Sequence, residues 1–146
     1  MTPPMVYTGI GLTKSFESCR LVPYQDDKGV WTDGWGNTHG VMPNGPAITQ
    51  TKADADLARN AQAAIGAVNH YVASHITQGE FDALVDLVFN IGSGNFASST
   101  MLRKLNAGDL NGAAAEFERW DRSGGVPVAG LLRRRLAERA EFKGRA

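Results

Sequence analysis

Phe16-Glu17-Ser18-Cys19-Arg20-Leu21-Val22-Pro23-Tyr24-Gln25-Asp26-Asp27-Lys28-Gly29-Val30-Trp31-Thr32 carries the chain out of a short helix into a tight hairpin, and the fold is decided there. Upstream, Leu12, Phe16 and Cys19 stand at i, i+4 and i+7. Gly9 to Ser18 therefore reads as a helix whose apolar stripe packs inward, with Glu17 in its last turn. Downstream, Tyr24-Gln25-Asp26 and Val30-Trp31-Thr32 read as short strands around the turn Asp27-Lys28-Gly29, with Gly29 supplying a positive φ. A three-residue turn pairs Asp26 with Val30 and Tyr24 with Thr32, which leaves Asp26 and Thr32 as diagonal neighbours on one face, roughly 7 Å apart. Strand alternation turns Asp33 to the opposite face, while Asp27 competes with its neighbour Asp26 for any chemical role.

A carboxyl at a helix end, with a carboxylate and a hydroxyl on the arms of a hairpin, is what acid/base hydrolysis of a glycosidic bond requires. Glu17 sits against Phe16 at the negative end of its helix, and both surroundings disfavour the ionised form and suit a proton donor. Asp26 is placed to accept a proton from water or to stabilise a developing sugar cation, with Thr32 orienting the water. Spacing alone fits solvated surface carboxylates at least as well. Cys19, two residues from Glu17, reads as structural, because no His stands nearby in sequence to activate it as a nucleophile.

Outward from this stretch the chain is strand-rich first and helical afterwards. Residues 20 to 48 hold Gly29, Gly34, Gly36, Gly40 and Gly45 with three prolines, which suits hairpins and turns. From Thr49 the pattern turns helical. Ala53 to Ala73 predicts one long helix with Leu57, Ala61, Ala64, Ile65 and Val68 on its inner face. Thr77-Gln78-Gly79-Glu80 is a capping box, and Phe81, Leu84, Val85, Val88 and Phe89 follow at helical spacing as the core of a second part. Further helices are expected over Ala97 to Asn106, Asp109 to Asp121 and Ala129 to Phe142, with Gly108 and Gly124-Gly125 as stops.

Beyond the hairpin come Thr32-Asp33-Gly34-Trp35-Gly36-Asn37-Thr38, Ile48-Thr49-Gln50 and Phe89-Asn90-Ile91-Gly92-Ser93-Gly94-Asn95-Phe96. Later stand Leu102-Arg103-Lys104-Leu105-Asn106-Ala107-Gly108-Asp109, Arg119-Trp120 and Gly130-Leu131-Leu132-Arg133-Arg134-Arg135. With these motifs the chain resembles, from about Gly9 to Lys143, the phage lysozymes of glycoside hydrolase family 24, in particular the endolysins of lambdoid phages and prophages. Their mark is Glu, eight residues, Asp, five residues, Thr, and Glu17, Asp26 and Thr32 match it. The resemblance implies an α+β, lysozyme-like fold. A small hairpin lobe at about 20–48 and a mainly helical part, 1–19 with 49–146, are joined by the long helix around an active-site cleft.

The resemblance also implies a muramidase that hydrolyses the β-1,4 bond between N-acetylmuramic acid and N-acetylglucosamine of peptidoglycan, for host lysis. Glu17 is then the general acid, Asp26 the base or electrostatic partner, and Thr32 the hydroxyl that positions water. Gly36 and Thr38 from one side and Asn90, Ser99 and Thr100 from the other are expected to line the cleft, although Asn90, Ser99 and Thr100 read equally as helix-end residues. Trp31 and Trp35 are candidates to stack on sugar rings, Trp31 reading more as core, and Trp120 reads as packing. One of Arg133, Arg134 and Arg135 is implied as partner to Glu17, with at least two of the three on a solvated face. The family usually has His after Gly36, where this chain has Asn37, which keeps a donor and an acceptor but does not titrate.

Composition bounds the alternatives. The chain has 146 residues, 42% of them hydrophobic, enough for one domain with a real core. Fifteen basic and fifteen acidic side chains cancel, which gives no general attraction to nucleic acid. His39, His70 and His75 make no metal-binding spacing, so no metal and no cofactor are expected. The lone Cys19 fits a reducing compartment. Met1 to Tyr7 lacks the basic flank and apolar stretch of an export signal, and no run approaches the roughly 20 residues of a membrane span. The expectation is a monomer made in the host cytoplasm, without stable membrane insertion, released to the periplasmic wall through a separate pore-forming protein.

Three other readings stand beside this one: a lytic transglycosylase acting on the same bond, a non-catalytic peptidoglycan-binding module, and membrane activity of the basic tail Gly130 to Arg145. Glu138 and Glu141 weaken the third, and burial of Leu131, Leu132 and Leu136 is expected in its place.

Overall fold

The computed structural model describes residues 3–144, so Met1 and Thr2 of the leader reading and Arg145 of the basic tail lie outside the described residues. The described residues divide into two compact units, Ile10–Gln62 and residues 3–9 with 63–144.

The first unit begins with α1, Ile10–Phe16, shorter than the predicted Gly9 to Ser18. Thr13 is its buried residue, while Leu12 and Phe16 are half-buried. Strands β1, Arg20–Gln25, and β2, Trp31–Gly34, pair antiparallel with Tyr24 opposite Thr32 and Gln25 opposite Trp31, the register that a three-residue turn requires. Gly29 closes that turn at φ 78, donating its N–H to the Asp26 carbonyl at 2.9 Å. Between Tyr24 and Arg20, which faces Gly34, the register shifts. Pro23 falls inside this irregularity, where a strand residue without an N–H is tolerated.

The chain passes from one unit to the other within α2, a single helix over Gln50–Tyr71. Its Ala53, Leu57, Ala61, Ala64 and Val68 are buried at the predicted spacing, with Ile65 half-buried.

The second unit is built on α3, Gln78–Ile91, whose capping box forms as read: the Thr77 hydroxyl accepts from the Glu80 N–H and the Glu80 carboxylate from the Thr77 N–H. Phe81, Leu84, Val85 and Val88 of α3 pack with Phe96, Met101, Leu105 and Phe117 in one apolar core. Residues 3–9 are tied to it by polar side chains: Asn69 brackets the Met5 backbone at 2.8 and 3.1 Å, and buried Asp82 accepts from both Thr8 groups and from Gln78.

Helix boundaries depart from the sequence where polar caps interrupt the period. The helix expected over Ala97 to Asn106 begins only at Thr100, as α5 Thr100–Asn106, because Ser99 turns its hydroxyl to the Leu102 N–H and starts it there; Ala97 instead ends a separate short helix, α4 Ser93–Ala97. Asp109 caps α6, Leu110–Ala115, after which a 3-10 turn takes over at Phe117–Trp120. Gly124-Gly125 is a hairpin turn between β3, Arg122–Ser123, and β4, Val126–Pro127, and α7 follows at Ala129–Phe142.

Candidate active site

Glu17, Asp26, Thr32, Gly36 and Thr38 all belong to the first unit; Asn90, Ser99 and Thr100 belong to the second. Glu17 stands one residue past α1, its N–H still bonded to the Thr13 carbonyl at 3.1 Å, so the helical geometry sets its direction. It is half-buried, and its Oε2 lies 3.9 Å from where a Cβ on Gly36 would stand. Gly36, at φ 83, thus brings bare backbone up to the carboxyl.

Asp26 has two tasks. Its Oδ1 accepts the N–H groups of Lys28, at 2.8 Å, and Val30, at 2.9 Å, closing the turn from within, while Oδ2 takes no bond from the described residues. The same group is therefore oriented by the backbone and keeps one oxygen for a ligand. Thr32 is buried, and its hydroxyl donates to the Val30 carbonyl at 2.9 Å. With its one hydrogen committed, Thr32 can only accept from a water. Asp27 is exposed, and Asp33 is buried with its Oδ1 accepting from Asn37 Nδ2 at 3.1 Å, away from this group as strand alternation required.

The loop after β2 is closed by Asn37. Asp33 and Asn37 exchange backbone hydrogen bonds at 2.9 and 2.8 Å around Gly34-Trp35-Gly36. The Asn37 side chain, 1% exposed, donates to Asp33 and to the His39 carbonyl and accepts from His39 N–H, Asn60 Nδ2 and Arg59 Nη2. Where the resembling family usually has a titratable ring, this chain has a fully satisfied amide hub anchored on α2. Arg59 and Lys52 also hold buried Asp56, at 2.8 and 2.7 Å. Burial works to raise the Asp56 carboxyl, but the hydrogen bonds and charges of these two cations hold it below its ordinary value.

Trp35 at the loop tip is half-buried, and its indole N–H is anchored on Asp54 Oδ1 at 2.8 Å. That bond, then the one from Gln50, holds the Asp54 carboxyl below its ordinary value, assisted by the Lys14 charge. Cys19 meets the Gln50 amide at 3.7 Å, a contact that activates no nucleophile. Sequence reasoning singled out Asn37 as a departure from the family but not its role as a hub, and it did not single out Asp54. The only signal for Asp54 was its i, i+4 spacing from Gln50 at the start of a helix.

In the second unit, Ser99 is occupied as the α5 cap and also donates to the Phe96 carbonyl at 2.7 Å, which is the helix-end reading. Thr100, exposed, accepts from Arg103 at 3.0 Å, and Asn90, exposed, accepts from Arg135 Nη1 at 2.9 Å. Trp120 packs at the edge of the core, as expected.

Two expectations for α7 are corrected. Arg134 and Arg135 are buried, not solvated, leaving only Arg133 of the three exposed. Arg134 grips Asp86 of α3 with a two-pronged contact at 2.9 and 2.9 Å, and Arg135 pairs with Glu138. Leu132 and Leu136 are correspondingly exposed, because the inward stripe of the helix is taken by this ionic network.

The sequence profile of the phage lysozyme family matches residues 14–138, and the chain belongs to that family. An endolysin of Acyrthosiphon pisum secondary endosymbiont phage 1 is 41% identical over 139 residues, 92% of this chain and 94% of that one. The endolysin of Salmonella phage P22 is 39% identical over 138 residues, with 92% and 94% covered. The muramidase domain of SpmX from Asticaccaulis excentricus superposes with a TM-score of 0.85 at 36% identity, over 94% of this chain and 95% of that one. The fold is lysozyme-like, and the chain is a lysozyme-type glycoside hydrolase.

Proposed function

We propose that this enzyme hydrolyses the β-1,4 bond between N-acetylmuramic acid and N-acetylglucosamine in peptidoglycan and so lyses the host cell from within. Glu17 hands a proton to the bridging oxygen as the bond breaks. Asp26 takes a proton from the attacking water or stabilises the sugar cation, and Thr32 accepts a hydrogen bond that orients the water. The observation that carries this reading is the Asp26 carboxylate, with one oxygen locked by two backbone N–H groups and the other taking no bond among the described residues, on the same hairpin pair as Thr32. Gly36 and Thr38 are proposed to meet the glycan beside Glu17; of the second-unit candidates, exposed Asn90 and Thr100 are preferred to Ser99, which is buried and spends its hydroxyl on a cap.

The test is turbidity loss of outer-membrane-permeabilised Gram-negative cells. Glu17→Gln should be inactive, Asp26→Asn should lose most activity, and Asp27→Asn should lyse nearly as the parent does. Full lysis by Glu17→Gln refutes the reading. Mass spectrometry of the released glycan separates the enzyme classes: reducing muramic ends support hydrolysis, whereas anhydro ends would make it a transglycosylase.

A further inference from the structure

We propose that Asp54, on α2, is a positioning residue for the proton donor, fixing through one carboxylate oxygen the segments that surround Glu17. The proposal rests on Glu17 being the acid, as proposed above. Three donors from three parts of the first unit converge on Asp54 Oδ1: the Trp35 indole N–H at 2.8 Å, the Gln50 amide at 3.0 Å and the Lys14 ammonium at 3.4 Å.

Each donor leads back to Glu17. Lys14 is on α1, three residues before Glu17, and its ammonium also sits 5.5 Å from the centre of the Trp35 ring, so helix and loop tip share one contact. Trp35 precedes Gly36, whose backbone faces the Glu17 Oε2. Gln50 reaches Cys19, two residues after Glu17, at 3.7 Å. The chain before the carboxyl, the chain after it and the backbone in front of it are thus all tied to one turn of α2.

Lys14 and Asp54 keep about a third of their side chains in water, at 34% and 42%, and exposed pairs of this kind contribute little to folding. Their loss should be felt as a misplaced acid more than as a melted protein. A shift of about 1 Å in a catalytic group can cost about a hundredfold in rate. The indole N–H bonded to a charged oxygen is the shortest of the three contacts, at 2.8 Å, and the one that fixes the loop tip.

The experiment measures kcat and KM on soluble peptidoglycan fragments, with the melting temperature of each full-length variant. Asp54→Ala should lower kcat about tenfold or more, with KM changed less than about twofold and Tm lowered by no more than a few degrees. Asp54→Asn should recover most of the loss, since its Oδ1 still accepts from Trp35 and Gln50. Trp35→Phe, which deletes the indole N–H, should reproduce the kcat loss. Adding Asp54→Ala to Trp35→Phe should then cost little more. Wild-type kcat in Asp54→Ala overturns the proposal, and so does a loss that Asp54→Asn fails to repair. An inactive Glu17→Gln alongside a fully active Asp54→Ala defeats this inference alone. A fully active Glu17→Gln defeats the reading beneath it.

Discussion

Replacing Glu138 with Gln should raise stability at neutral pH. Glu138 and Asp86 are both fully buried. Glu138 Oε1 lies 2.6 Å from Arg135 Nε and its Oε2 2.9 Å from Arg135 Nη2, with Arg134 Nε at 3.8 Å. Asp86 of α3 hydrogen-bonds it, and Asn90 and the Trp120 carbonyl complete the surroundings of Arg135. Burial, reinforced by the hydrogen bond with Asp86, pushes the Glu138 carboxyl from 4.5 to about 10 against the pull of Arg135. At pH 7 it is therefore protonated in the fold and ionised when unfolded. The gap from 4.5 to pH 7 is about two and a half units at ~1.4 kcal/mol each, so folding at pH 7 costs up to ~3 kcal/mol in proton uptake. Because the folded value is the higher one, this cost is absent below pH 4.5 and grows as pH climbs towards 10. Gln has the same shape, offers an amide hydrogen to Asp86 and an oxygen to Arg135, and needs no proton. Melting temperatures of parent and Glu138→Gln should coincide near pH 4.5 and diverge upward, the variant leading by up to about 6–12 °C at pH 7. Glu138→Ala, which removes the oxygens that face Arg135 Nε and Nη2 and leaves those buried donors unsatisfied, should cost ~1–3 kcal/mol. A Gln variant melting below the parent at pH 7 would refute the reasoning, because it would mean that the ionised pair is net stabilising.

Asp26→Asn should melt with the parent while losing lysis, since the amide oxygen still accepts from Lys28 and Val30; Asp26→Ala should lose a further ~1–2 kcal/mol in urea unfolding. Asn37→Ala removes a buried hub with five hydrogen bonds and should cost ~2–3 kcal/mol by the same measurement. Gly34→Ala must adopt φ near 53 and bring a methyl within 3.2 Å of Ala53 Cβ, so thermal melting should show a loss of ~1–3 kcal/mol. Asp56 has a depressed carboxyl, so its contribution is whole above the ordinary 3.8 and fades as pH falls through the lower folded value. Asp56→Asn should therefore lower Tm at pH 7 and flatten its decline between pH 4 and pH 2.

The hairpin was legible because short-range rules govern it. A three-residue turn with Gly29 dictates the Tyr24 and Thr32 pairing, and alternation then separates Thr32 from Asp33. The Thr77 capping box and the α3 stripe were legible for the same reason, each being a local match between side chain and backbone. The second task of Asp26 was less visible: a side chain that caps its own turn looks, in sequence, like any Asp before a Gly. The roles of Asn37 and Asp54 were hidden more deeply, because their bonds run between the loop after β2 and α2, across 22 and 23 residues from Asn37 to Arg59 and Asn60 and 19 from Trp35 to Asp54. No periodicity reports a hydrogen bond over that span.

The corrected helix α7 shows which signal was present and not weighed. Asp82 and Asp86 stand at i, i+4 inside α3, among its apolar core residues, and both are buried. A buried carboxylate needs a cation or donors close by, since its desolvation costs several kcal/mol. Asp82 finds Thr8 and Gln78; Asp86 requires something stronger, and a cluster of arginines later in the chain is where that partner should have been sought. Once Arg134 turns inward to Asp86, helical geometry carries Glu138 inward with it, one turn along, and Arg135 is buried against Glu138 at 2.6 Å. A single α-helix has one inward stripe, so Leu132 and Leu136 must face outward. Hydrophobicity alone ranks those leucines as core and those arginines as surface. The need to pair buried Asp86 ranks them the other way, and it prevails because an unpaired Asp86 would cost more than two exposed leucines forfeit.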